Sequence, residues 1–96
     1  MNGKTPLYAA SVRDIEKAVK LLLERGADVN KQCGPDGTAL YAASSRGHAR
    51  IVELLLDNGA YIDAQIEFVN HVTPLYSASS QGYENITKLL LDRGAD

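Results

Sequence analysis

Two patterns of apolar and polar residues follow one another along this 96-residue chain, and each occurs three times. The first pattern opens with a threonine and continues into a short stretch rich in alanine and serine. In its first copy, Leu7, Ala10 and Ser11 are three to four residues apart, so they fall on one face of a short helix. The threonine hydroxyl can cap this helix, and a proline at the next position suits its first turn.

The second pattern is an amphipathic segment that ends in three consecutive leucines. In the middle copy it predicts a helix from about Ala49 to Asn58, with Ile51, Leu54 and Leu55 on its apolar stripe. Gly47 comes before this helix and Gly59 comes after it. Both glycines are predicted to end a helix, because positive φ is easiest for glycine.

The segments between the helix pairs have no helical period. They extend from Gly26 to Thr38 and from Gly59 to Thr73, and the first contains the dense turn signal Gly34-Pro35-Asp36-Gly37. We predict that each segment is a reversing loop or hairpin rather than a third helix. Each unit is then helix, turn, helix and projecting loop.

Together the two patterns form an internal repeat. Its opening threonines, Thr5, Thr38 and Thr73, are 33 and 35 residues apart, and each is followed by a leucine triplet and a Gly-Ala pair. Ten positions are identical in all three copies. The repetition predicts a single domain over residues 1–96, made of units at about 3–35, 36–70 and 71–96.

These motifs resemble the ankyrin repeat, which has a period of 33 residues and the signature Thr-Pro-Leu-His-x-Ala. The resemblance covers nearly the whole chain and includes Gly47-His48, the run from Ile51 to Leu56 and the run from Gly26 to Asn30. It implies an all-α solenoid of three helix-turn-helix units joined by projecting, β-hairpin-like loops. It also implies a protein–protein interaction scaffold.

The sequence departs from the signature at several positions. Tyr8, Tyr41 and Tyr76 stand where the signature has histidine. We expect these tyrosines to be structural, either with a hydroxyl bonded to loop backbone or with a ring that packs. Asp14 stands where the first helix-ending glycine belongs, and aspartate tolerates left-handed backbone better than most residues. We expect His48 to pack at the start of a second helix.

The second loop is two residues longer than the first, and its segment from 65 to 72 lacks glycine and proline. Four of these eight residues are apolar: Ile66, Phe68, Val69 and Val72. Because alternate side chains of an extended segment face opposite ways, they cannot all be buried. Two alternatives remain open: the apolar tip contacts a partner, or Phe68 folds back over the neighbouring repeat.

The resemblance further implies a binding surface on a concave face, made of the loop tips and the exposed ends of the first helices. Most of these positions are small or polar, so the alternative is that they are merely solvated helix ends. Carried over position by position, the implied partner-binding residues are Val12, Arg13, Gly34, Pro35, Gly37, Ser45, Arg46, Phe68, Val69, Asn70, Val72, Ser80 and Gln81.

Composition and charge exclude several function classes. The net charge of −2 gives no electrostatic case for nucleic acid, and no apolar run approaches the roughly 20 residues that span a bilayer. His48 and His71 form no evident acid–base group, and no cysteine or aspartate cluster has metal-ligand spacing. We therefore predict no enzyme activity, no metal and no cofactor.

Two single residues carry further expectations. Cys33 is expected to be exposed on the first loop, where a free thiol fits a reducing compartment. Since the sequence also has no apolar signal core near its start, we predict an intracellular, cytoplasmic protein. Asn30 is expected to stabilise its loop through hydrogen bonds.

Neither end of the repeat array shows the polar cap that a stack of repeats needs. The third unit keeps Ile86 and the leucine triplet of an internal repeat, so we predict exposed apolar surface on the C-terminal face. If Leu90 points outward there, its replacement by alanine is expected to cost little. The chain is then a segment of a longer array, or its ends stack on other copies.

The sequence thus predicts a non-enzymatic module that binds a protein partner through loop tips and first-helix ends. The alternative is a structural segment of a longer ankyrin array, or a self-associating scaffold, with no partner of its own.

Overall fold

The computed structural model describes residues 4–67, 69 and 71–96. Within this part of the chain there are six α-helices in three successive pairs and no strand. The predicted all-α architecture is therefore confirmed. In chain order the helices are α1 (Pro6–Val12), α2 (Glu16–Glu24), α3 (Ala39–Arg46), α4 (Ala49–Asp57), α5 (Pro74–Gln81) and α6 (Glu84–Asp92).

The first helix of each pair begins at a threonine. The Oγ1 atoms of Thr5, Thr38 and Thr73 each accept a hydrogen bond from the backbone N–H of the tyrosine three residues later, at 3.0, 3.2 and 3.1 Å. Each bond satisfies one of the N–H groups that a helix start leaves without a partner. The predicted threonine caps are confirmed.

The first helices end in left-handed backbone. Gly47 and Gly82 close α3 and α5, each with φ of 80°. After α1, Asp14 adopts a φ of 60° in place of glycine. Because aspartate reaches this region at some cost, the first turn is strained relative to the other two.

The helices form two layers. Helices α1, α3 and α5 lie side by side in one layer, α2, α4 and α6 lie side by side in the other, and each helix also packs on the other member of its pair. We refer to these as the inner and outer helices. The core between the layers contains fully buried side chains from every helix pair, including Val19, Leu40, Leu55 and Leu90.

The burial of Leu90 decides the condition attached to its replacement. Leu90 is 0% exposed, so it does not point outward and the small loss expected for an outward leucine does not apply. It occupies the same repeat position as Leu55, on the side of the outer helix that packs into the core cluster. The exposed leucine at this end is its neighbour Leu91, which is 53% exposed.

Each loop closes with one backbone hydrogen bond across its base. The N–H of Cys33 donates to the carbonyl of Gly37 at 2.8 Å, and the N–H of Ile66 donates to the carbonyl of Val72 at 3.1 Å. These two pairs are equivalent in the repeat, so the two extra residues of the second loop lie at its tip. The tip of the first loop is a single 3-10 turn over Gly34–Asp36.

The base of the first loop also turns Cys33 inward. Cys33 is 2% exposed, so the expectation that it is exposed is wrong. Its side chain packs with Tyr8 and Ala42, where the loop covers the inner helices. Ile66, at the same position in the second loop, is buried as well. This repeat position is therefore an inward-facing anchor of the loop.

Among the described helices, none combines the length and apolar character needed to cross a membrane.

Candidate protein-interaction surface

The inner helices end in a row of exposed long side chains. Arg13, at the C-cap of α1, and Arg46, at the end of α3, occupy the same position of the repeat, and Gln81 occupies it in α5. All three residues are exposed. Since the inner helices pack side by side and packed helices are about 8–10 Å apart, these side chains form a regularly spaced row. We call it the inner row.

The residues just before the inner row are smaller and partly occupied. Val12 is half-buried and packs against the cluster formed by Tyr8, Cys33 and Ala42. The hydroxyls of Ser45 and Ser80 donate to backbone carbonyls within their own helices, at 3.0 and 3.1 Å. These three side chains therefore contribute to the shape of the surface, and the two serine hydroxyls are already hydrogen-bonded within their helices.

The predicted contact residues of the first loop differ in accessibility. Pro35 is exposed at the tip and Gly34 is half-buried. Gly37 is buried, and a Cβ atom there would lie 3.2 Å from the Ile66 side chain and 3.3 Å from the Tyr41 ring. Gly37 thus belongs to the closed base of the loop, where its φ of 77° and the close side chains both favour glycine.

In the second loop the predicted residues are divided. Val69 is exposed and Val72 is half-buried, whereas Ile66 is buried against the loop base. The predictions for Phe68 and Asn70 fall on positions outside the described residues. The apolar residues of this loop are therefore split between an inward anchor and an outward tip.

Tyr8 links the first inner helix to the first loop. Its hydroxyl donates a hydrogen bond to the backbone carbonyl of Asp36 at 3.2 Å, so Tyr8 follows the first of the two structural alternatives, a hydroxyl bonded to loop backbone. Burial raises the pKa of Tyr8, the nearby Asp36 carboxylate raises it further, and Arg46 opposes the shift. Tyr76, the equivalent residue of the third pair, is exposed.

A shallow cavity lies beside Tyr8 at the N-terminal edge of the inner helices. Its volume is about 190 Å³, which is small for a ligand pocket. Lys4 borders it, with Nζ 3.6 Å from an Asp36 carboxylate oxygen and 5.8 Å from the centre of the Tyr8 ring. The residues that line the cavity are Lys4, Tyr8, Ala9, Val12 and Arg13.

Sequence reasoning selected Val12 and Arg13 but missed the other members of this cavity. A signal was present, because Tyr8 and Val12 are four residues apart, as are Ala9 and Arg13, so each pair lies on one helix face. The cavity provides an apolar floor between two cationic side chains.

The inner and outer helices differ in charge. The inner helices contain no acidic residue, while the outer helices mix both signs and pair them. Arg50 lies 3.5 Å from Glu16, and Arg93 lies 2.8 Å from Asp57. A side-chain hydrogen bond from Lys20 lowers the pKa of Glu16. In the described part of the chain, the salt bridges include neither arginine of the inner row.

Other polar side chains are used between the repeats. Asn30 donates to the carbonyl of Gly59 at 3.1 Å and accepts from the N–H of Tyr61 at 2.7 Å, so its expected role in loop stability is confirmed. His48 Nε2 donates to the carbonyl of Val12 at 2.9 Å and so joins the first two helix pairs. These residues hold the stack together, whereas the inner row faces outward.

Comparison with protein-family models gives two matches. The description "Ankyrin repeats (3 copies)" applies to residues 31–96, and the description "Ankyrin repeat" applies to residues 2–33. The two matches overlap slightly and together extend from residue 2 to residue 96. A search of the curated proteins finds no match.

Proposed function

Because the chain belongs to the ankyrin repeat family, whose repeats are generally protein–protein interaction modules, we propose that it binds a protein segment along its inner helices and loop tips. The proposed role is non-enzymatic. The contact residues are the inner row, the exposed first-loop tip at Pro35 and the exposed second-loop residue Val69.

The inner row is the observation that carries the proposal. Arg13 and Arg46 are exposed and stand at equivalent repeat positions, on a surface whose helices contain no acidic residue. The outer-helix arginines Arg50 and Arg93 are ion-paired with neighbouring repeats, so they serve the stack. A partner that carries carboxylates would supply the counter-charge that the inner row lacks, and arginine is well suited to bind carboxylates in a bidentate way.

The cavity beside Tyr8 adds a second feature to the partner. It lies next to Arg13 and has an apolar floor made of Tyr8, Ala9 and Val12. A single apolar side chain of the partner could fill it while an adjacent carboxylate binds Arg13. We therefore propose that the partner binds through a short acidic segment that has an apolar residue close to its acidic residues.

A displayed library of random peptides tests this proposal, since selection from it does not require that the partner be identified. Peptides selected on the wild-type chain should be enriched in aspartate and glutamate, with an apolar residue nearby. The double variant R13E/R46E should bind the selected peptides at least about tenfold more weakly, because two attractions become repulsions. Fluorescence polarisation with synthetic copies of the selected peptides measures the loss.

The control is K20E/K88E, which makes the same change in net charge on the outer helices α2 and α6. It should leave peptide affinity unchanged within about twofold at moderate ionic strength, because screening weakens distant charges. Selected peptides without acidic enrichment, or equal losses in the two double variants, would contradict binding at the inner row.

A further inference from the structure

The large apolar side chains that stay exposed on the helices and their caps lie at the two ends of the array. They are Ile15 and Leu21 in the first pair and Tyr76 and Leu91 in the third. The middle pair, in which every residue is described, has none. We call the surface around Ile15 and Leu21 the N-terminal face and the surface around Tyr76 and Leu91 the C-terminal face.

The two faces contain the separate halves of a contact that the chain already makes internally. Leu23 and Leu54 line the same small cavity between α2 and α4. The equivalent residues at the next junction are Leu56 and Leu89. If a second copy were stacked on the third repeat, the equivalent residues at that junction would be Leu91 of the first copy and Leu21 of the second. Leu54 is 9% exposed, whereas Leu21 is 50% exposed, so a second copy would cover Leu21 as α2 covers Leu54.

Charged residues on the outer helices repeat this correspondence. Glu16 pairs with Arg50 between the first and second repeats, and the equivalent residues across the two faces are Glu84 and Lys17 of a second copy. At the junction between the second and third repeats, the equivalent residues are Ala49 and Asn85, which are uncharged and cannot form an ion pair.

A second ion pair follows the same correspondence. Asp57 pairs with Arg93 at 2.8 Å between the second and third repeats. The equivalent residues across the two faces are Asp92 and Arg25 of a second copy. An end-to-end junction would therefore contain both kinds of ion pair, whereas each internal junction contains one of them.

These four end residues are available for such pairs. Lys17, Arg25, Glu84 and Asp92 are exposed, and none of them is in a salt bridge within the described residues. The overall charge agrees with this arrangement. Residues 1–33 contain six basic and four acidic residues, while residues 71–96 contain two basic and three acidic residues. The N-terminal end is thus positive and the C-terminal end negative.

We propose that the C-terminal face of one copy stacks on the N-terminal face of another and continues the repeat across the junction. The contact joins two different faces, so it is heterologous and allows open-ended growth. It is weaker than the junction between the first and second repeats, because Ile15 replaces His48 and cannot repeat the hydrogen bond that His48 makes to a backbone carbonyl of the preceding repeat. The ion-pairing residues and Leu91 are distinct from the inner row. The cavity beside Tyr8 lies at the same N-terminal edge, so a stacked copy and a partner side chain in that cavity would exclude each other.

Sedimentation velocity of the wild-type chain, from about 10 μM to about 1 mM, tests for the weak association expected. The weight-average mass should rise continuously with concentration and pass that of a dimer. The variant D92K should lower the association constant about tenfold, because an attraction becomes a repulsion. The variant L91E should lower it further, since it places a charge in the apolar part of the junction.

The matched control is E24K, because Glu24 occupies the same repeat position as Asp92. Within the chain its counterpart across the junction is the neutral Asn58, so the variant alters charge away from both end faces. It should associate like the wild type. Circular dichroism melts at low concentration should show that all the variants are folded.

A mixing experiment distinguishes this contact from any other mode of association. D92K places two cations at the junction, and R25D places two carboxylates there, so each variant alone should associate poorly. An equimolar mixture should recover wild-type association, because the lysine introduced in one variant meets the aspartate introduced in the other. The unaltered pair of Asp92 and Arg25 then forms at alternate junctions. A wild-type chain that stays monomeric throughout, or a mixture that does not recover, would overturn the proposal.

Discussion

The middle helix pair and the two end pairs share nearly the same sequence pattern but differ in what covers them. Leu54 and Leu21 occupy the same repeat position, yet the first is buried between two helices and the second is half exposed. The same holds for Gly47 and Gly82, because the ring of Tyr83 covers the first glycine and nothing lies within 4 Å of a Cβ at the second. In a stack whose repeats contact only their neighbours, the energetic value of a residue therefore depends on which neighbours it has.

The largest difference in stability is expected between two leucines that occupy the same repeat position, Leu55 in the middle pair and Leu22 in the first pair. Leu55→Ala should lower the free energy of unfolding by about 2–5 kcal/mol, because Leu55 is fully buried and alanine leaves a cavity. Leu22→Ala should cost about 1 kcal/mol, since Leu22 is only partly buried and lines an open cavity on the N-terminal face. Urea unfolding at low protein concentration measures both losses.

The leucine of the third pair extends this comparison. Leu90 is fully buried, so Leu90→Ala should resemble Leu55→Ala rather than Leu22→Ala. Equal losses for Leu22→Ala and Leu55→Ala at low concentration would show that burial does not distinguish the middle pair from the end pair. A loss for Leu22→Ala that grows with protein concentration would instead indicate that a second copy covers the N-terminal face.

A smaller effect is expected for the helix-ending glycines. Gly47 and Gly82 both have φ of 80°, so alanine at either position should cost about 1 kcal/mol in backbone strain. At Gly47 the new Cβ would also lie 3.0 Å from the Tyr83 ring, which would have to move. Gly47→Ala should therefore cost about 1 kcal/mol more than Gly82→Ala.

Thermal unfolding should resolve this difference, because 1 kcal/mol corresponds to about 4–8 °C in a domain of this size. If the two variants melt at the same temperature, Tyr83 adapts freely, and the contact between the second and third repeats does not constrain Gly47.

Local features of the fold could be predicted from the sequence, since they depend on residues close in the chain. The threonine caps, the helix-ending glycines and the left-handed Asp14 need only knowledge of local backbone preferences. The burial of Leu90 also follows from the repeat, because Leu55 at the same position lies on the predicted apolar stripe. The burial of Cys33 could not be predicted in this way, because it depends on the loop base closing over the inner helices.

In the candidate surface, too, some features could be predicted from the sequence of one repeat and others depend on contacts between repeats. The positions of Arg13 and Arg46 followed from the repeat, and the structure adds that both are exposed while the outer-helix arginines Arg50 and Arg93 are paired. That difference depends on contacts between repeats, which the spacing of residues within one repeat does not contain. Gly37 shows the opposite outcome, because a loop residue expected at the surface lies in the buried base.

The smallest expected effect compares two tyrosines of the same repeat position. Tyr8→Phe removes the hydrogen bond to the carbonyl of Asp36 and should cost about 0.5–1.5 kcal/mol at neutral pH. Tyr76→Phe should change stability by less than about 0.5 kcal/mol, because Tyr76 is exposed. Urea unfolding of the two variants gives both values, and their difference measures what the first loop contributes by closing over Tyr8.

Alkaline pH provides a further test of the same bond. The folded state raises the pKa of Tyr8 above the ordinary value of 10.0, mainly through burial, so the unfolded chain loses this proton first as pH rises. The contribution of Tyr8 is therefore complete below about pH 10 and declines as the pH rises through the folded-state pKa. In urea unfolding at increasing pH, the stability difference between the wild type and Tyr8→Phe should narrow above about pH 10. A difference that stays constant would show that Tyr8 ionises equally in both states, and the loop would then not shield its hydroxyl.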